Sequence, residues 1–112
     1  MDRIEIRHEF KAGDIGRLVE LHGLLYNQEY GFDHTFEAYV AEPLARFALT
    51  CTDRERVWLV DLNGVLMGSL AIVKHGDDEA QLRWFLLHPA LRGKGLGSDL
   101  VNEAERVSGP IL

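Results

Sequence analysis

Eight residues, Leu91-Arg92-Gly93-Lys94-Gly95-Leu96-Gly97-Ser98, put a glycine-rich, doubly basic turn between a strand-like run and a helix-like one. A helix start carries unpaired backbone N–H groups and the positive end of the peptide dipoles, so it suits a phosphate or diphosphate. Gly93 and Gly95 can adopt positive φ and expose their N–H groups, while Gly97 lets a ligand or a strand approach the first helical turn with no Cβ in the way. Arg92 offers a two-pronged donor, Lys94 a point charge and Ser98 a hydroxyl. Together these groups could hold two linked phosphates.

Two commoner phosphate loops are excluded. A Walker-type loop needs Ser or Thr after Gly-Lys, and Gly93-Lys94 is followed by Gly95. A dinucleotide fingerprint needs glycine where Ser98 stands and an acidic residue about twenty positions later, beyond the end of this sequence.

The elements that must position the loop follow from periodicity. Ile4 to Phe10 alternates apolar and charged residues, as a strand with one wet face would. Asp14 can cap a helix whose Ile15, Leu18, Val19, His22, Leu25 and Tyr26 form one stripe ending near Tyr30-Gly31. Thr35 can cap a second, carrying Phe36, Tyr39, Val40, Leu44, Phe47 and Ala48, in which Pro43 predicts a kink or a split into two short helices. Val57 to Leu62 and Val65 to Val73 read as strands joined at Asn63-Gly64, a type I′ turn signal. Gly76-Asp77-Asp78 turns into a further strand, Ala80 to Leu87, and Leu96, Leu100, Ala104 and Val107 give the last helix an apolar face. The order β-α-α-β-β-β-α predicts an α/β (α+β) unit on a mostly antiparallel sheet.

With 112 residues, 46% of them hydrophobic, the chain is expected to form a single domain over 1–112, burying roughly 60–65% of its unfolded surface. A formal charge of −6, with the basic residues scattered outside the loop, argues against nucleic acid as a partner. No long apolar run and no signal peptide is visible, and the single cysteine, Cys51, allows no internal disulfide, so no membrane association and a cytoplasmic location are expected. Cys51 follows an apolar run and is read as a small buried thiol. The histidines show no metal-ligand spacing, so no metal site is expected.

Arg92, Gly95 and Gly97 satisfy the pattern Arg/Gln-x-x-Gly-x-Gly, after His88-Pro89 and the run Leu82-Arg83-Trp84-Phe85-Leu86-Leu87. This arrangement resembles the acyl-CoA loop and fourth strand of the GNAT superfamily of N-acetyltransferases, and the resemblance extends to the element order of the whole chain. Asp14 to Phe47 is also similar to acetyltransferase domains fused behind MarR-type regulators, although no DNA-binding part is present in this sequence.

The resemblance implies direct transfer of an acetyl group from acetyl-CoA to a primary amine, without a metal or a covalent enzyme intermediate. The coenzyme would contact Leu86 and Leu87 through their main chain, and Arg92, Gly93, Lys94, Gly95, Leu96, Gly97 and Ser98 in the loop. Glu79 and His88 are the candidates for proton transfer; the competing readings are a solvated turn for Glu79 and a surface turn for His88. The acceptor would meet Tyr26, Glu29 and Tyr30 near Asp33, in acidic surroundings suited to a cationic amine.

A complete family member continues with a fifth strand, a helix and two further strands, so the expected fold lacks the usual C-terminal strands. The fourth strand would then be an open apolar edge, which predicts self-association through it. The alternative function is a catalytically inactive acyl-CoA-binding or dimerisation module.

Overall fold

The turn at Asn63-Gly64 has φ of 52° and 84°, the pair of positive values a type I′ hairpin needs, and it sets the register of the central strands. The computed structural model describes residues 2–109 and 111. The elements are β1 (Ile4–Arg7), α1 (Asp14–Tyr30), α2 (His34–Thr50), β2 (Arg56–Leu62), β3 (Val65–His75), β4 (Glu79–Leu87), a 3-10 turn (Pro89–Leu91) and α3 (Leu96–Ser108). The strands form one antiparallel sheet in the order β1-β2-β3-β4. This is the α+β order read from the sequence, with β1 ending at Arg7 rather than Phe10.

Two apolar layers sandwich the sheet. Leu18, Leu44 and Phe47 of α1 and α2 pack on Val57, Leu59, Leu66 and Ala71. On the other face Leu100 and Ala104 of α3 cover Trp58, Val60, Leu70 and Ile72. Trp58 is fully buried, and its Nε1–H donates to Glu103 of α3 at 3.0 Å, which fixes the helix over the sheet. Val107, expected on the apolar face of α3, is exposed.

Several local expectations are corrected. In β1 the apolar residues face the α3 side, opposite Leu62 and Val60 but beyond the helix's cover, so Ile4 and Ile6 are exposed. The helix side of β1 is ionic instead: Arg7 donates to Asp61 at 2.8 Å and to Asp14 at 2.9 Å. Asp14 is therefore not a cap; it is the first residue of α1, behind Gly13, and it also accepts from the Lys11 N–H at 2.8 Å. Asp33, not Thr35, caps α2, accepting from the Thr35 N–H at 2.9 Å. Pro43 does not split α2, which runs continuously through it because Val40, Leu44 and Phe47 on either side are buried. Cys51, expected to be buried, is exposed at the end of α2.

Two strands are irregular: β3 carries an extra residue, Met67, where Leu66 and Gly68 face Asp61 and Val60 of β2, and β4 departs from its partner as well. Between Arg83, opposite Ala71, and Leu86, opposite Ser69, it carries an extra residue, and Trp84 there has φ of 49°. After α3 the chain returns to β4, where Ile111 makes a parallel bridge to Ala80.

Candidate active site

The loop after β4 is held from below. His88 Nδ1 accepts from the Ala90 N–H at 3.0 Å, capping the 3-10 turn, and Leu91 is fully buried. Gly93 and Gly95 have φ of 78° and 77°, a region that costs residues with a Cβ. The first backbone bond of α3 is from the Asp99 N–H to Gly95 O; among the described residues, the N–H groups from Gly93 to Ser98 have no partner. Gly97 admits the strand: a Cβ on it would lie 3.3 Å from Phe85 Cζ and 3.5 Å from Leu87 Cδ1.

Both cations of the loop face carboxylates. Arg92 donates through Nε to Leu87 O at 2.9 Å and through its two terminal nitrogens to the Glu29 carboxylate on α1. This bond holds the Glu29 carboxyl below its usual range. Lys94 Nζ lies 3.7 Å from the Asp2 carboxylate. Among the described residues the backbone N–H groups are thus the open donors of the loop, while Arg92 and Lys94 face Glu29 and Asp2.

A cleft lies between the helices and β4. His22, Tyr26, Phe36, Tyr39 and Val40 line one side, and Gln81 to Phe85 the other. The extra residue of β4 lies in this wall, where the Ser69 hydroxyl donates to Trp84 O at 2.6 Å. Beyond it, the His88 N–H bonds across the sheet to Met67 O at 2.9 Å. Alternation along a strand then turns the Leu87 N–H and C=O to the free edge, consistent with the Arg92 bond to Leu87 O, and turns Leu86 toward β3. At the outer end of the cleft Tyr26 stacks on Phe36 with centroids 4.5 Å apart, and Tyr30 and Phe32 extend the aromatic patch. Burial, with Tyr30 and Glu29 nearby, raises the Tyr26 phenol above its ordinary value.

The structure brings Tyr26, Glu29 and Tyr30 to the same end of the molecule as Leu87 and the loop, with His88 beside them. Glu79 stands apart. It begins β4, eight residues from Leu87 and so about 25 Å away, in an exposed depression with Asp53, Arg54, Lys74 and Asp78. Sequence reasoning missed the irregularity in β4, because Trp84-Phe85-Leu86-Leu87 reads as an unbroken strand. It also missed the Glu29–Arg92 pair, whose members are 63 residues apart, and gave no role to His22, a polar residue in an apolar stripe. Among the described residues no group of three or more potential metal ligands occurs, and no helix is long and apolar enough to cross a membrane.

A four-stranded antiparallel sheet with an irregular β4, followed by a glycine-rich turn at a helix start, defines an α+β fold. The chain belongs to the Acetyltransferase (GNAT) family, whose model matches residues 18–109. Among solved structures, an acetyltransferase from Streptococcus agalactiae is 21% identical with a TM-score of 0.72, covering 94% of this chain and 65% of its own. A predicted acetyltransferase with acetyl-CoA from Clostridium acetobutylicum is 15% identical with a TM-score of 0.64, covering 100% and 79%. A protein from Staphylococcus aureus assigned to the GNAT family is 14% identical with a TM-score of 0.71, covering 96% and 97%. Identities this low show the shared fold. The chain spans about two thirds of the length of several such neighbours. No curated protein matches it.

Proposed function

We propose that this chain, as one acyltransferase domain over residues 1–112, moves an acetyl group from acetyl-CoA to a primary amine by direct attack. The observation that carries the reading is the row of unpartnered N–H groups from Gly93 to Ser98 at the start of α3, beside the irregular edge of β4. A diphosphate satisfies those donors, and Lys94 and Arg92 add charge as they exchange Asp2 and Glu29 for it. The family and the neighbour with acetyl-CoA support that compound as the ligand, and the thioester it brings supplies the activated acetyl group.

Leu86 and Leu87 flank the reacting group with their main chain, and the edge-facing Leu87 N–H is placed to polarise a carbonyl. Tyr26 and Tyr30 give the acceptor an aromatic wall, and Glu29, once Arg92 turns to phosphate, is free to meet a cationic amine. Of the two residues nominated for proton transfer, His88 stands next to the loop with its Nδ1 used by Ala90, while Glu79 lies at the far end of β4.

The test is release of free thiol from acetyl-CoA across a panel of amines. Steady release supports the transferase. Binding of acetyl-CoA without release supports the second reading, an acyl-CoA-binding or dimerisation module, which the exposed Phe85 on the β4 edge favours.

A further inference from the structure

We propose that His22 takes the proton from the acceptor amine, through a water that reaches Nε2 when the side chains lining the cleft give way; this rests on the transferase reading above. His22 lies on α1, one turn before Tyr26, and is 2% exposed. Its Nδ1 is 2.7 Å from Leu18 O. A carbonyl only accepts, so Nδ1 carries the hydrogen and, in the neutral ring, Nε2 keeps its lone pair. Nε2 is shielded from solvent and, among the described residues, has no hydrogen-bond partner. A core histidine kept for structure alone would have both nitrogens matched, and a buried one left open costs stability.

The ring lies parallel to Tyr26, 6.1 Å between centroids and 10° apart, and lines the cleft with Phe36 and Val40 of α2 and Trp84 of β4. The His22 ring therefore borders the same cleft as the irregular strand, with Nε2 covered. Burial lowers the pKa of His22, which keeps the ring neutral and able to accept a proton near pH 7. The titratable and charged groups sharing the cleft are Tyr26 on α1, Tyr39 on α2 and Arg83 on β4, whose guanidinium stands 4.8 Å over the Trp84 ring. Glu37 of α2 lies against the neighbouring Gly23. No carboxylate lines the cleft among the described residues, so nothing there favours the protonated ring at rest.

In the step, the amine lone pair forms the N–C bond to the thioester carbon and the C–S bond breaks, its electron pair leaving on sulfur. One N–H proton passes through the water to Nε2. The buried imidazolium then returns that proton through the same water to the thiolate, so coenzyme A leaves as the thiol and the ring resets.

The experiment uses the whole chain with acetyl-CoA and the amine panel, comparing wild type with His22→Gln. The variant is expected to keep its fold and its acetyl-CoA-induced rise in melting temperature, while kcat for thiol release falls about 10²–10⁴-fold and the acid limb of the wild-type pH profile disappears. If His22→Gln does not fold, His22→Asn gives the same readouts. Nitrogen NMR of the histidines is expected to show His22 at pH 7 with Nδ1 protonated and Nε2 bare. An active wild type matched in rate and pH profile by the variant overturns the proposal, as does a protonated Nε2 at pH 7. A wild type that binds acetyl-CoA and releases no thiol overturns the transferase reading itself, which is a separate outcome.

Discussion

Arg92 faces two claims on its guanidinium, the Glu29 carboxylate in this structure and a phosphate in the proposed complex. Glu29→Gln removes the competitor, so acetyl-CoA is expected to bind about twofold to fivefold more tightly by calorimetry, as befits an exposed pair. Gly95→Val acts on the backbone donors instead. At φ 77° a β-branched residue is strained by about 1–3 kcal/mol, which the fold can bear, but the cradle is expected to lose coenzyme binding; undiminished binding would refute the assignment. Asp14 contributes to the acid response. Burial pulls its carboxyl upward, but bonds from Arg7 and the Lys11 N–H outweigh this and set it below the ordinary value of 3.8. A depressed carboxyl contributes stability above its unfolded value and loses it as pH falls through the folded one, so the melting temperature is expected to drop below about pH 4. Asp14→Asn should cost about 1.5–3 kcal/mol at pH 7 and flatten that drop in a melting series. At this scale the glycine spacing was legible because it acts within a few residues, whereas the partners of Arg92 and Arg7 come from elements remote in sequence.

Elements were legible where one periodicity dominated. The stripe of α1, that of α2 apart from the exposed Tyr39, and the Asn63-Gly64 hairpin needed only local pattern and are found where they were read. Of the kink or split expected at Pro43, the split does not occur, because tertiary burial of Leu44 and Phe47 keeps α2 in place across the missing N–H. Pro43→Ala restores a donor for the Tyr39 carbonyl, so it is expected to stabilise the chain by about 1 kcal/mol or more and raise the melting midpoint by several degrees; an unchanged midpoint would mean that the helix is already relaxed around the ring. β1 misled for a different reason. Alternation identifies a strand but not which face is covered, and here the ionic side holding Arg7 turns inward.

For the molecule as a whole, β4 is one of the two edges of the sheet among the described residues, with Phe85 exposed upon it and Ile111 bridging only its start. Such an edge invites a second strand. We expect concentration-dependent association in sedimentation, weakened by Phe85→Lys, and a monodisperse monomer at about tens of micromolar would count against it. The order of the elements could be read from the sequence because each element declares itself locally, and the family through the resemblance carried by Arg92, Gly95 and Gly97 after the run Leu82 to Leu87. The cleft could not, since it exists only where α1, α2 and an irregular β4 meet. The functional reading depends most directly on the cradle from Gly93 to Ser98, and the melting temperature with and without saturating acetyl-CoA tests it. At about a hundred times the dissociation constant the ligand adds roughly 2.7 kcal/mol, which in a domain of this size raises the midpoint by about ten degrees or more. That rise is the predicted result; no shift at saturating ligand would contradict the anion site on which the functional reading stands.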